Sequence, residues 1–224
     1  TLCLLSVQAR VQEPLRGTQE YTKSQELLSS LLNEPQKNPL ICAPAFYYRG
    51  LIAYQNQNYS AGIADLKESH NILEQQNTKA SFAPMLLTYL GACYLENNEP
   101  KTAKDTLEKV ILVSPDNTLA QEYLGKSCIK IAESQLDIKL AEERKQNIVQ
   151  ACKCFNKCVN LEPHNSKYFA WYAKSLTLGK SNSLAYENLV KALDIDPANS
   201  MALEQIFTLS FKEIRLQQHT NNLV

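Results

Sequence analysis

Residues 84–117, PMLLTYLGACYLENNEPKTAKDTLEKVILVSPDN, constrain the fold more than any other stretch. Leu87, Leu90, Gly91 and Tyr94 stand at i, i+3, i+4 and i+7, the spacing that lines one face of an α-helix. Ala103, Leu107 and Val110 repeat the device after a break at Asn97, Asn98 and Pro100, and Pro115 stops it. The stretch reads as a helical hairpin of 34 residues. Gly91 and Ala103 are the small residues that let two helix backbones approach closely, with larger side chains filling the space on either side.

The same spacing recurs along the chain. A hairpin opens at Ala43, with Phe46, Gly50 and Ala53 on one helix and Gly62, Leu66 and Ser69 returning after Asn58 and Tyr59. Gly50 to Gly62 is twelve residues, as is Gly91 to Ala103. Gly91 to Gly125 is 34 residues, but Gly50 to Gly91 is 41, so residues 43–83 carry an extension. In 118–165 the helices hold Tyr123, Leu124, Gly125 and Cys128, then Phe155, Cys158 and Leu161. Gly125 to Ala151 is 26 residues, fourteen beyond the expected twelve. No Gly or Pro lies between Lys126 and Asn147 and the apolar pattern persists, so the excess is expected as about two turns on each helix. It should overhang by about 10 Å, with Asp137 or Asn147 as caps. Residues 166–199 return to 34, with Ala173, Ala185, Leu189 and Pro197. Residues 200–224 read as a capping helix and tail, in which large side chains fill slots elsewhere held by small ones. Residues 1–42 form a degenerate hairpin: a helix from Thr1 to about Gln12, a break at Glu13–Gly17, and a second helix carrying Tyr21, Leu27, Leu28, Leu31 and Leu32, closed by Pro35 and Pro39. Because Thr1–Ala9 already reads as helix, the sequence is expected to be a piece of something longer.

Small, aromatic, alanine and terminal-proline slots filled at a period of 34 make the chain resemble the tetratricopeptide repeat family, over roughly residues 43–219. The resemblance implies an all-α fold, a right-handed superhelical α-solenoid of helical hairpins stabilised by stacking neighbours. It implies too that the first helices line a concave groove in which peptides dock.

Composition narrows the function. Lys and Arg number 23, as do Asp and Glu, so no dominant field toward nucleic acid is expected. Six glycines suit an all-helical chain. Seven cysteines, mostly on helix faces, read as reduced, buried thiols of a cytoplasmic or nuclear protein. No apolar run approaches the 18 or so residues of a membrane span. No phosphate loop, nucleophile elbow or zinc motif occurs, and His70, His164 and His219 fall on different repeats, so neither an enzyme nor a cofactor is expected. Cys152, Cys154 and Cys158 have a spacing that thiolates could use for zinc. Cys158 nevertheless takes the packing slot of Val110 and Ala192, and a structural reading is preferred.

The candidate binding residues lie on the first helices. One slot holds Tyr48, Tyr89, Tyr123 and Trp171, an aromatic in every repeat; such residues either grip an extended peptide or pack between repeats. One turn away come Lys126, Lys130, Lys167 and Lys174, a candidate basic patch for a partner with acidic residues. The Lys-and-Asn pair with which chaperone-binding members hold a terminal carboxylate does not fall on one first helix. The reading is a protein-interaction scaffold or adaptor, within a multiprotein complex, that binds a peptide or helix of another protein. The alternative is the repeat arm of a larger enzyme; RNA binding is third, and self-association stays open.

Overall fold

The computed structural model describes residues 19–33, 38–135 and 137–221, with side chains left aside at residues 19–22, 138 and 212–221. The expected helix at Thr1–Gln12, the break at Glu13–Gly17, the Pro35 stop and Leu136 fall outside these residues, as does the Tyr21 side chain. Among the described residues there are ten α-helices and no strand. They form two compact units that divide after Pro115.

The first unit holds α1 (Gln19–Leu32), α2 (Pro39–Gln55), α3 (Tyr59–Gln75), α4 (Ala83–Glu96) and α5 (Pro100–Val113). The α2/α3 and α4/α5 pairs are hairpins, with α1 packed on α2 and α3 on α4. Local chemistry sets the boundaries. Asn38 and Asn58 accept backbone N–H groups at the starts of α2 and α3, from Leu40 and Ala61, satisfying donors that a helix start leaves open. Pro39 begins α2 instead of closing the preceding helix, because a proline's missing N–H is harmless in a first turn. The hairpin therefore starts four residues before the expected Ala43.

The second unit holds α6 (Thr118–Ser134), α7 (Ala141–Leu161), α8 (Ser166–Leu178), α9 (Asn182–Ile195) and α10 (Ser200–Asn221). Here α6/α7 and α8/α9 are hairpins, α7 packs on α8, and α10 lies against α9 and α8. Its C-terminal core is small and aliphatic, built from Ala170, Ala173, Leu176, Ala185, Leu189, Ala192, Ala202 and Leu209.

One contact repeats in the hairpins. A Cβ added to Gly50 would stand 2.7 Å from Leu66 Cγ, one added to Gly91 2.5 Å from Leu107 Cγ, and one added to Gly125 2.6 Å from a Phe155 ring carbon. Only hydrogen fits at those distances, so the glycines are required by close approach. Gly50 precedes Leu66 by sixteen residues, and Gly91 precedes Leu107 by the same interval; Gly125 precedes Phe155 by thirty. The fourteen extra residues thus leave the helix-to-helix register untouched. They divide unevenly. Helix α6 runs four residues past the point where α4 stops, α7 begins seven residues early, and three more lie in the connection. In the other hairpins the turn passes through a left-handed residue at one shared position, Gln57, Asn98 or Lys180. Ala132, the matching residue of the long hairpin, is helical and buried. Of the two expected caps, Asp137 accepts the Lys139 N–H at 3.0 Å and opens a 3₁₀ turn over Ile138–Leu140. Asn147 lies inside α7, donating from Nδ2 to the Glu143 carbonyl, and is not a cap.

Candidate protein-interaction surface

In the second unit α6 and α8 lay their first-helix faces side by side, joined by ion-pair and cation–π contacts. Lys167 Nζ meets Glu122 Oε1 at 2.6 Å, Lys126 Nζ lies 5.1 Å from the Trp171 ring centroid, and Lys174 Nζ meets Glu133 Oε1 at 3.0 Å. Spacing explains the ladder: residues 122, 126, 130 and 133 share one face of α6, and 167, 171 and 174 share one face of α8. Lys174 Nζ is also 5.3 Å from the Trp171 centroid, and Lys126 Nζ is 5.5 Å from that of Tyr123. Trp171 therefore has two ammonium groups at cation–π range, and it stacks with Phe155 at 5.8 Å and 13°. The structure brings Tyr123, Trp171, Lys126, Lys167 and Lys174 together. Lys130, one turn along α6 from Lys126, is half-buried.

The aromatics differ in exposure. Tyr123 retains only 8% of its surface, whereas Trp171, like Tyr48 and Tyr89 in the first unit, is half-buried. In the first unit the aromatic slot joins a cluster built by neighbours. Tyr47 contacts Tyr48 at 5.1 Å and stacks with Phe82 at 5.0 Å, and Tyr54 meets Tyr89 edge-on at 5.4 Å. Burial pushes the Tyr47 phenol above its ordinary range, with Tyr89 and Tyr48 adding to the rise, so this hydroxyl is neutral.

The carboxylates are what sequence reasoning missed. Glu122 has a side chain only 3% exposed, yet it takes ammonium groups from both Lys126, at 2.5 Å, and Lys167. Burial alone would raise its pKa; the two lysines more than offset that and hold it below the usual carboxylate range. Tyr168 beside it is pushed up, chiefly by burial and then by Glu122. Lys126, Lys167 and Lys174 thus each carry an intramolecular ion pair. The signal lay in the sequence: Glu122 stands four residues before Lys126, the spacing of a helical ion pair, and next to Tyr123. Arg49 and Asp65 form the corresponding charged feature of the first unit, a two-pronged contact at 2.6 and 2.7 Å across α2 and α3.

The cysteines sit where packing wants them. Cys154 and Cys158 are buried, and Cys152 is half-buried against the α8–α10 core. The Cys158 thiol donates toward the Thr118 carbonyl at 3.7 Å. Its pKa is pushed up to about 12 by burial, then by Glu122 and Glu162. No cluster of three or more His, Cys, Asp or Glu placed to hold a metal occurs among the described residues. No helix among them is long and apolar enough to cross a membrane.

Helical hairpins of one register, packed on one another within each unit, define the class: an α-solenoid of helical repeats. Residues 86–117 match the family described as Tetratricopeptide repeat. Solved structures share the fold. YrrB, described as a TPR protein with an unusual peptide-binding site, is 17% identical with a TM-score of 0.62, and the match covers 83% of each chain. MamA from Desulfovibrio magneticus RS-1 is 16% identical with a TM-score of 0.63, over 88% of this chain and 97% of that one. TTC0263, a thermophilic TPR protein from Thermus thermophilus, is 16% identical with a TM-score of 0.59, over 78% and 84%. No curated protein matches the sequence. The chain has the α-solenoid fold of tetratricopeptide-repeat proteins, and residues 86–117 match that family's repeat.

Proposed function

We propose that the chain is a protein-interaction scaffold that binds a peptide or helix of another protein on its first-helix faces, without catalysing a reaction. The observation that carries this reading is the α6/α8 cluster, where a half-buried tryptophan lies between two lysines on rigid helices. An aromatic of this kind offers large contact area with few rotors to freeze, which is why such residues dominate binding energies. Tyr48 and Tyr89 hold the equivalent slot in the first unit, half-buried like Trp171. YrrB lends support as a protein of this fold whose description names a peptide-binding site.

The ion pairs refine the ligand. Lys167 and Lys174 keep 52% and 33% of their side chains exposed while paired, and an ammonium group has three donors. A partner carboxylate can therefore join them without displacing Glu122 or Glu133. The ligand is an apolar anchor seated at Trp171 and followed by acidic residues, with charge setting the encounter rate more than the affinity.

The test is affinity capture with the intact chain, followed by titration of the captured partner. Trp171→Ala should weaken binding by about 1–3 kcal/mol, mainly through faster dissociation. Lys174→Glu should slow association and flatten its salt dependence. Leu112→Ser, on exposed α5 surface, is the control. Unchanged affinity for both site variants, with helical circular dichroism intact, would place the partner elsewhere.

A further inference from the structure

The charged groups along the α6/α8 seam stand on both sides of Trp171. Lys126 and Lys167 share Glu122 at one end, and Lys174 pairs with Glu133 at the other. The indole lies between, 5.1 Å from Lys126 Nζ and 5.3 Å from Lys174 Nζ. Glu122 and Glu133 are eleven residues apart on α6, three helical turns, so they leave the helix in the same direction about 16 Å apart. Lys167 and Lys174 are seven residues apart on α8, about 10 Å. Each lysine reaches toward its own carboxylate, so the two ammonium groups spread to either side of the indole instead of gathering on one. At the Glu122 end two lysines meet one carboxylate that is 3% exposed and cannot turn away, which leaves one positive charge unbalanced. At the other end half-buried Lys130 stands three residues before Glu133, the spacing of neighbours on a helix.

We infer that the ligand is an extended peptide segment with an acidic residue on each side of its apolar anchor, one for Lys167 and one for Lys174. This rests on the proposed binding of a peptide at Trp171, and it adds the second acid and the register. The two seats are the lysines that stay 52% and 33% exposed while paired. Lys126, 19% exposed and held by the buried Glu122, is a wall of the site instead. Spacing sets the register. In an extended chain every second side chain faces the same way, about 6.6 Å along. An anchor with acids two residues before and two residues after it therefore spans about 13 Å on one face. That span falls between the spacing of the two lysine backbones and that of the carboxylates toward which they reach. Acids directly beside the anchor would point away from α8, and two acids on one side would leave one lysine without a partner from the ligand.

The probe is a capped, fluorophore-labelled peptide with the core Glu-Ala-Leu-Ala-Glu, titrated with the intact chain at low salt and read by anisotropy. Two further peptides carry glutamine in place of one glutamate or the other. Each replacement should weaken binding about two- to fivefold, the range of a solvent-exposed ion pair. One of these losses should vanish in Lys167→Gln and the other in Lys174→Gln, with helical circular dichroism intact in both variants. Lys167→Gln leaves Lys126 on Glu122, so the buried carboxylate keeps a partner. The inference is overturned if both losses vanish with the same lysine, or if either persists in both variants. It is also overturned if a peptide with both glutamates after the leucine binds as tightly, or if none of the peptides binds. Trp171→Ala separates this result from the proposed function. Binding that needs Trp171 without the paired lysine couplings removes the second acid and leaves the proposed function standing, whereas peptide binding indifferent to Trp171→Ala overturns both.

Discussion

Replacing Gly91 by alanine separates two opposed effects whose sizes the structure fixes. Gly91 is in the middle of α4, where alanine favours the helix by about 1 kcal/mol. Against that stands the packing. The new methyl would lie 2.5, 2.7 and 3.0 Å from Cγ and both Cδ atoms of Leu107, a side chain with no exposed surface. Cγ is not the free end of a flexible chain, so relief requires α4 and α5 to separate, at about 1–3 kcal/mol. The net expectation is a loss of up to about 2 kcal/mol, against the sign of helix propensity. Leu107→Ala alone should cost about 2–5 kcal/mol. In that background the Gly91 methyl enters the vacated space, and Gly91→Ala should become neutral or stabilising. The cycle thus predicts coupling of about 2 kcal/mol between residues sixteen apart. Urea melts of the four proteins, followed by circular dichroism, measure it. Additive effects, or a raised midpoint for Gly91→Ala with Leu107 present, would refute the close-contact account.

Two further predictions address groups that burial perturbs. The folded pKa of Glu122 lies below its unfolded value, so its ion pairs add stability at neutral pH that is lost as pH falls through the lowered value. Glu122→Gln should cost about 2–3 kcal/mol at pH 7, less than a fully buried pair because Lys167 reaches water. The gap to the unmodified chain should close as pH falls through and below the ordinary carboxylate range, and parallel stability–pH curves would exclude the account. The Cys93 and Cys158 thiols, both pushed up to about 12 chiefly by burial, should react with a thiol reagent at pH 8 only as the chain unfolds. Cys158→Ser should cost about 1–3 kcal/mol in urea, and prompt labelling mapped to either cysteine would contradict their burial.

The hairpins were legible because a period of 34 fixes which residue meets which. Gly50, Gly91 and Gly125 each close on a large side chain at the spacing the sequence implies, and the fourteen extra residues appear as the offset of Phe155. The turn of the long hairpin was not legible. No Gly or Pro marks it between Lys126 and Asn147, and what holds it is tertiary: Arg144 Nε donates to the Ala132 carbonyl at 3.0 Å, tying the start of α7 to the end of α6. Pro39 misled for a related reason, since a proline can end one helix or begin the next and only the asparagine before it decides.

The charges show where pattern reading stops and why. The slot spacing located Lys126, Lys167 and Lys174, but a basic patch is a statement about net charge, and the carboxylates that share it come from elsewhere. Glu122 and Lys167 are 45 residues apart, on different hairpins, and their pairing exists only once α6 and α8 are stacked. This changes how the patch can be probed. Lys126 is 19% exposed and bound to a carboxylate that is 3% exposed. Lys126→Glu would therefore put a second negative charge beside the buried Glu122, and lost binding would report lost folding. Lys174 pairs with Glu133, whose side chain is 43% exposed, so reversing it leaves both carboxylates able to turn into water. Among these lysines, Lys174 is the one whose reversal tests the charge preference of the surface without first dismantling the surface.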